Sequence, residues 1–283
     1  TSYLPEVPSD PSSAQGVDTG YDICNDGTGR AIVTAPDAED SVEVAIPAPY
    51  SVSSSMNSTI GLSGNDVDLS WDDVSMPTYE VWRGTYAYFE PGDAYSTLLT
   101  TTASTSYTDT TAAVGDANTN HFYLIQGKDS NGNVTYVSSR TGEFDYALTP
   151  GDPGDDKYNA IGVPFTTSQF SNASELTTAM GGSSDVDQVL DWREDTQTFD
   201  AYLPGLGAGN DFDLVVGDVM WVLLTDTADS NFTVYGTVPA QSDISYPLVQ
   251  EDGDFADLML PLQYISLSNA SDLAAVIGDV DSI

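Results

Sequence analysis

Between residues 48 and 148 the chain is a regular succession of short alternating apolar and polar segments separated by turn residues, a pattern that disfavours long helices. The segment "NDVDLSWDDV" places Val67, Leu69 and Trp71 on one face of a strand. Further along, "HFYLIQGKDSNGNVTYVSS" has the form of two strands joined by the turn "DSNGN". Short strands at this spacing predict an antiparallel β-sandwich for the region.

Four motifs of this region occur in the order "LSWDDV", "YEVWRG", "SYTDTT" and "FYLIQGKDSNGN". Together they resemble a fibronectin type III domain of the kind found in bacterial and archaeal surface proteins. The resemblance covers residues 48–148 and implies an antiparallel seven-stranded sandwich with Trp71 and Tyr123 in its core. It also implies a spacer or a binding module, because the fold itself confers no catalytic activity.

Three apolar side chains of the same region are predicted to point away from that core. Trp82, Phe122 and Leu124 alternate out of phase with Tyr123 and Ile125, which we assign to the core. An isolated sandwich would leave this apolar patch in water. We therefore expect residues 20–48, the second module or another subunit to cover the patch, and its three residues are the candidate interface residues.

The rest of the chain divides around a linker rich in Pro, Gly and Asp at residues 149–157. Residues 1–47 have the composition of an extended N-terminal arm with short strands, for which "RAIVTA" and "SVEVAIP" are candidates. Residues 158–254 contain further strand patterns and one short helix, which predict a second β-rich module. The predicted fold class is therefore mostly β: a fibronectin-type sandwich, a second β-rich domain and a partial second copy of that module.

The partial copy is inferred from a phrase that occurs twice, as "FSNASELTTAMG" at 170–181 and as "LSNASDLAAVIG" at 267–278. The second occurrence belongs to a partial repeat at residues 255–283, and the arrangement is similar to tandem modules of large prokaryotic surface proteins. We expect the partial repeat to be ordered. We expect it to dock on a sheet of its own chain or of a neighbouring subunit, because its strand would otherwise present an open edge.

The repeated phrase also predicts a short helix. Asn172 and Glu175 have the spacing of a helix N-cap and a first-turn acid. Leu176, Ala179 and Met180 fall on one face of that helix.

The chain carries 44 acidic against 6 basic residues, which gives a formal net charge of −38. This balance excludes nucleic acid and anionic membrane surfaces as partners, because both require basic patches. No stretch has the ~20 apolar residues of a transmembrane helix, so no membrane insertion is predicted. The acid excess is consistent with a well-solvated surface that needs no cation, and equally with solubility at high salt or the binding of divalent cations.

Calcium is the cofactor that this composition favours, because carboxylate and carbonyl oxygens are its ligands. Several acidic loops concentrate such oxygens, although each would also be a sufficient turn without an ion. The calcium candidates are Asp152, Asp155, Asp156, Asp226 and Asp229.

Asn-X-Ser/Thr sequons favour an extracellular or cell-surface location. At Asn172 and Asn269, helix capping competes with glycosylation for the same side chain. The single cysteine, Cys24, excludes a disulfide within the chain. The glycosylation candidates are Asn57, Asn133, Asn172, Asn231 and Asn269.

The sequence contains no recognisable catalytic constellation. His121 is the only histidine, and its position before the strand "FYLIQ" favours a structural role. One histidine and one cysteine exclude a Cys/His metal cluster within one chain, and the nucleophile elbow G-x-S-x-G is absent. The chain is therefore predicted not to be an enzyme.

Two expectations for function follow. The first is a non-catalytic extracellular structural protein that assembles with its own copies into a homo-oligomer or polymer, as a subunit of a surface layer, sheath or filament, or as an adhesin stalk. The alternative is a carbohydrate-binding or spacer region of a secreted polysaccharide-degrading enzyme. Exposed Trp and Tyr side chains beside a groove would favour glycan binding, whereas subunit contacts would favour the first expectation.

Overall fold

The computed structural model describes residues 22–25, 31–34, 54–151, 157–166, 169–225, 228, 231–240 and 271. In these ranges the protein is mostly β with one short α-helix, so the predicted fold class is confirmed. The chain forms two compact units, Thr1–Ser51 and Val52–Ile283.

The first unit contains an antiparallel pair of strands, β1 (Asp22–Asn25) and β2 (Ala31–Thr34). Strand β2 is the predicted strand "RAIVTA". The second predicted strand of the arm, "SVEVAIP", lies outside the described residues.

The second unit begins with a β-sandwich, which we call the sandwich segment (residues 54–151). A three-stranded sheet in the order β4-β5-β8 faces the strands β7-β6-β9-β10 of a larger sheet. The strands are β3 (Ser54–Met56), β4 (Ser58–Ser63), β5 (Asp66–Trp71), β6 (Thr78–Gly84), β7 (Ser96–Thr102), β8 (Ser106–Asp109), β9 (Phe122–Lys128), β10 (Val134–Ser138) and β11 (Thr141–Ala147).

The predicted hairpin is confirmed, since β9 and β10 pair antiparallel around "DSNGN". One pair departs from the antiparallel pattern, because β3 runs parallel to β10. The chain crosses from one sheet to the other at Asn57, so that β3 and β4 lie in different sheets although one residue separates them.

The two sheets enclose a hydrophobic core that we call the inner core. Most of its residues come from the alternating positions of β5, β6 and β9, as the sequence predicts. Trp71 and Tyr79 meet at its centre with ring centroids 5.6 Å apart in an edge-on arrangement. The buried residues of the inner core are Met56, Val67, Leu69, Trp71, Tyr79, Val81, Ala112, Tyr123 and Ile125.

The second unit continues with residues 157–240, which we call the second segment. Its strands form an antiparallel sheet in the order β12-β16-β13-β14-β15. Its elements are β12 (Tyr158–Gly162), α1 (Ala173–Ala179), β13 (Val186–Arg193), β14 (Thr198–Leu203), β15 (Ala208–Gly209), β16 (Val219–Leu224) and β17 (Asn231–Thr237), with 3-10 turns at Gly182–Ser184 and Pro204–Leu206.

Helix α1 begins at the predicted cap, where the Asn172 Oδ1 atom accepts a hydrogen bond of 2.9 Å from the Glu175 backbone N–H. It ends before Gly181, whose φ of 106° suits glycine. On the face shared by Leu176, Ala179 and Met180, Leu176 is buried, Met180 is partly buried and Ala179 is exposed. The helix also buries Ala173 and Thr177.

The partial repeat at residues 255–283 lies outside the described residues except for Ser271, which is helical and exposed. Ser271 aligns with Ser174 of α1 in the repeated phrase. The predicted order and docking of the repeat stay predictions, as do the boundaries of the segments.

Candidate functional site: the joint between the two segments

Strand β17 belongs to the second segment in sequence, but it is part of the larger sheet of the sandwich and not of the second segment's own sheet. It pairs antiparallel with β11 along the full length of both strands, from Thr141↔Thr237 to Ala147↔Asn231. Because β11 also pairs with β9, the second segment extends the larger sheet of the sandwich. We call this ladder and the core beneath it the joint.

Beneath the ladder, both segments contribute side chains to one hydrophobic core, which we call the shared core. The Phe122 ring of the sandwich meets the Phe165 ring of the second segment edge-on, with centroids 6.2 Å apart. Each buried side chain of this size contributes roughly 1.5–3 kcal/mol. The larger members are Phe89, Phe122, Leu124, Leu148, Ile161, Val163, Phe165, Phe170, Leu176, Val186, Val189, Phe212, Leu214, Met220, Val222, Leu224, Val234 and Val238.

The shared core accounts for the outward-facing patch predicted from the sequence. Phe122 and Leu124 are 0% and 2% exposed, and they are buried with residues of the second segment. Trp82 is half-buried at the margin of this core, where its Nε1–H donates to the Glu80 Oε2 atom at 3.2 Å. The second segment is therefore the cover for this face of the sandwich.

Two glycines allow the ladder and the aromatic core to lie this close together. Gly142 of β11 and Gly236 of β17 are directly paired across the ladder. A Cβ atom on Gly142 would lie 2.6 Å from the Phe122 ring, and one on Gly236 would collide with the backbone of Thr166. Larger side chains at either position would push the strands away from the aromatic pair.

A buried acid–histidine pair lies where β11 meets the start of β9. The Glu143 Oε1 atom is 2.9 Å from His121 Nδ1 and accepts a 2.6 Å hydrogen bond from the His121 backbone N–H. Glu143 is fully buried, and its Oε2 atom has no hydrogen-bond partner among the described residues. Burial raises the pKa of Glu143, and the opposing hydrogen bond from His121 does not cancel this effect.

A second buried carboxylate, Asp145, connects the two segments directly. It accepts a 2.6 Å hydrogen bond from the Gly115 backbone N–H and a second hydrogen bond from the Thr233 hydroxyl of β17. The Asp145 backbone N–H donates to the Asn120 side-chain oxygen at 2.9 Å. The register of β17 is therefore fixed by these polar contacts in addition to the apolar contacts of the shared core.

A third buried carboxylate, Asp109, lies in the sandwich away from the joint. It accepts hydrogen bonds from Arg83 at 2.8 Å and from the Tyr123 hydroxyl at 3.1 Å. Burial acts to raise the pKa of Asp109, but hydrogen bonds from Thr111 and the charge of Arg83 outweigh it and hold the pKa below its usual value. Burial, followed by the charge of Asp109, raises the pKa of Tyr123.

The described sequons occupy different environments. The side chains of Asn57 and Asn133 are exposed and donate to Asp72 and Asp129 at 2.9 and 3.1 Å, respectively. Asn172 caps α1, and Asn231 is exposed at the start of β17. Asn269 lies outside the described residues.

The five calcium candidates also lie outside the described residues: Asp152, Asp155, Asp156, Asp226 and Asp229. In the described turn "DSNGN", the Asp129 carboxylate accepts hydrogen bonds from the backbone N–H groups of Asn131 and Asn133. Among the described residues, no group of three or more His, Cys, Asp or Glu side chains could hold a metal ion. None of the helices in this part of the chain has the length and apolar character needed to span a membrane.

One surface feature was not predicted from the sequence. The Trp192 and Phe199 rings, on the paired strands β13 and β14, meet edge-on at 4.9 Å, and Phe199 is 48% exposed. Trp192 and Arg193 also line a cleft of about 410 Å³. The signal for this pair was present in "WREDTQTF", because a turn of this length brings its two aromatic ends opposite each other. The carboxylates of the cleft belong to Asp191, Glu194, Asp195, Asp213 and Asp218.

No protein-family model matches the chain, and no curated protein matches it. Among solved structures, pectate lyase PelI of Erwinia chrysanthemi in complex with tetragalacturonic acid is similar with a TM-score of 0.24 and 16% identity, over 31% of this chain and 27% of that chain. Pectate lyase Pel3 of Pectobacterium carotovorum is similar with a TM-score of 0.25 and 14% identity, over 42% of this chain and 32% of that chain. The chain thus spans less than a third of each enzyme, and similarity at this level carries no argument about fold or function.

Proposed function

We propose that the chain is a non-catalytic structural segment of an extracellular protein, a self-assembling subunit of a surface layer, sheath or filament, or part of an adhesin stalk. The joint is the observation that carries this proposal. Domains that are joined by a flexible linker move relative to each other, whereas a common sheet and a common core fix two segments in one orientation. A fixed orientation is what an ordered assembly requires of its subunits.

The sandwich adds support from its architecture. The strands β4 to β10 form two facing sheets, as the resemblance to fibronectin type III domains implies. Such a sandwich serves as a spacer without chemistry of its own. The exposed sequons at Asn57 and Asn133 support an extracellular location.

The net charge of the chain suggests a test of the proposed self-assembly. At a net charge of −38, copies repel one another at low ionic strength, and assembly needs screening by salt or bridging by divalent cations. We expect light scattering to show single chains in dilute buffer, and larger species after addition of concentrated salt or calcium. Chelator should reverse only the calcium-induced part. A chain that stays single under all these conditions would contradict self-assembly.

Binding of a neutral glycan is a second candidate, and the Trp192–Phe199 pair favours it. Aromatic faces stack against the C–H faces of sugars, while Arg193 and the adjacent carboxylates of the cleft offer hydrogen bonds to hydroxyl groups. Electrophoresis through gels that contain neutral polysaccharide tests this candidate. Retardation of the wild type, its loss in Phe199→Ala and its retention in Leu206→Ala would support it. Leu206 is a suitable control because it is exposed in a separate turn.

A further inference from the structure

One side of the sandwich is formed by two strands at the edges of their sheets. Among the described strands, β7 pairs only with β6, and β8 pairs only with β5. The other edge of the smaller sheet, β4, lies beside the end of β10, where the Ser58 hydroxyl donates to the Ser139 carbonyl at 2.7 Å. Strands β7 and β8 therefore line the opposite side of the sandwich. An edge strand has a row of backbone N–H and C=O groups without ladder partners, which is a template for another strand.

Strands β7 and β8 up to Thr108, and the turn between them, carry no charged side chain. Residues 95–108, "YSTLLTTTASTSYT", contain no charged residue and no proline, in a chain with 44 acidic residues. Proteins usually protect edge strands with charges or prolines. The protection present here is a β-bulge at Leu99, since Val81 pairs with Thr100 and Trp82 pairs with Leu98. On both sides of the bulge, β7 continues in regular register with β6.

The edge also carries apolar surface that continues from the shared core. Tyr95 is 62% exposed and Leu98 is 41% exposed. Leu98 is paired with Trp82, and the Tyr95 ring lies 6.2 Å from the Tyr86 ring. Both Trp82 and Tyr86 pack against the shared core. The apolar interior of the joint therefore extends to the surface at this edge.

The loop before β7 holds Tyr95 in place. The Asp93 carboxylate accepts hydrogen bonds from the backbone N–H groups of Glu90 at 2.9 Å and of Tyr95 at 2.8 Å. The Ser96 hydroxyl accepts a further hydrogen bond from the Gly92 N–H at 2.9 Å. An aromatic side chain that is already fixed before a partner binds loses little conformational entropy when that partner covers it.

We propose that the side formed by residues 95–108 is where a second copy of this chain docks, by antiparallel pairing of β7 with β7 around a two-fold axis. A two-fold contact brings each surface against itself. An acidic surface would then meet an identical acidic surface, whereas this uncharged side meets itself without repulsion. Pairing would satisfy the open edge, join the larger sheets of two copies and cover Tyr95 and Leu98.

This inference rests on the proposed self-assembly and names the surface that it uses. The test places a lysine at the edge in Leu98→Lys and, because a variant can fail to fold, also in Thr101→Lys, where the side chain is exposed. Leu206→Lys is the matched control, since Leu206 is 77% exposed elsewhere. Thermal unfolding followed by circular dichroism verifies that the variants fold.

Sedimentation velocity in concentrated salt then measures association over a range of protein concentrations. We expect the wild type and Leu206→Lys to form dimers or larger species with equal affinity, and both edge variants to raise the dissociation constant at least about tenfold. If all variants associate like the wild type, the docking side is wrong and self-assembly stands. If the wild type stays monomeric in every salt and calcium condition, both proposals fail.

Discussion

The inner core and the shared core meet at strand β9, where neighbouring residues belong to different cores. Ile125 points into the inner core and is fully buried, and Leu124 points into the shared core with 2% exposure. The buried residues of the inner core all belong to the sandwich segment, from Met56 to Ile125, whereas those of the shared core extend to Val238 of the second segment. Two neighbouring residues of one strand can therefore be equally buried although one depends on the sandwich alone and the other on the second segment.

The largest effect is expected from the centre of the shared core. Phe165→Ala removes the ring that meets Phe122 and should lower the free energy of unfolding by about 3–5 kcal/mol. Because the joint connects both segments, we expect one cooperative transition at lower urea concentration, measured by far-UV circular dichroism and tryptophan fluorescence together. A separate early transition of the second segment, with the sandwich unaffected, would show that the two cores are energetically independent.

The pair Leu124→Ala and Ile125→Ala compares the two cores within one strand. Each substitution leaves a cavity in a buried position, so each should cost about 2–5 kcal/mol in urea unfolding. The two losses should be similar if the second segment packs against β9 as closely as the facing sheet does. If only Leu124→Ala lowered the free energy of unfolding by less than about 1 kcal/mol, the second segment would not be packed against Leu124.

A smaller effect is expected at the ladder. Gly236→Ala places a methyl group against the backbone of Thr166 and should cost about 1–3 kcal/mol through overpacking. Gly61→Ala is the control, because a Cβ atom there meets nothing within 4 Å. Thermal unfolding of both variants measures the difference. Equal melting temperatures would mean that β17 adjusts without cost and that the close approach at the joint is not required.

The smallest effects concern pH and distinguish the carboxylates of the two regions. The raised pKa of Glu143 means that its contribution to stability is full below the pKa of the unfolded chain, and is lost as pH rises through the folded-state pKa. Asp109 has a lowered pKa, so its contribution is present above the unfolded pKa and is lost as pH falls through the folded-state pKa.

Substitutions should therefore respond to pH in opposite ways. Relative to the wild type, Glu143→Gln should gain stability as pH rises from about 4 to about 7, and Asp109→Asn should cost most at neutral pH and less below about pH 4. Urea midpoints over this range measure both trends. Trends of the same sign would show that the hydrogen bonds from Thr111 and the charge of Arg83 do not give Asp109 an environment different from that of Glu143.

Much of the local structure was predictable from the sequence. The alternation in "NDVDLSWDDV" identified the residues of β5 that face the inner core, and "DSNGN" identified the hairpin of β9 and β10. The cap of α1 followed from Asn172 and its distance to Glu175. These features depend on residues close in sequence, where backbone period and capping chemistry act directly.

The joint was predictable only in part. The alternation of residues along β9 indicated that Phe122 and Leu124 need a cover. It does not specify whether another part of the chain or another subunit provides this cover. The pairing of β17 with β11 depends on contacts across the whole second segment, and a strand pattern such as "NFTVYGTV" fits many sheet edges equally well. Gly142 and Gly236 carried a signal, because glycine inside a strand often marks a close approach of other groups.

The direction of the β11–β17 ladder has a mechanical consequence. The chain enters the ladder at Thr141 and leaves it at Thr237, and these two residues are paired with each other at the same end. A hydrogen bond of 2.9 Å from the Val238 N–H to the Arg140 carbonyl closes that end. When the chain is pulled at a point before Thr141 and at a point after Thr237, the tension passes across this closed end of the ladder. The strands must then separate one residue pair at a time, starting at that end. Until they separate, residues 142–236 form a loop that carries no force.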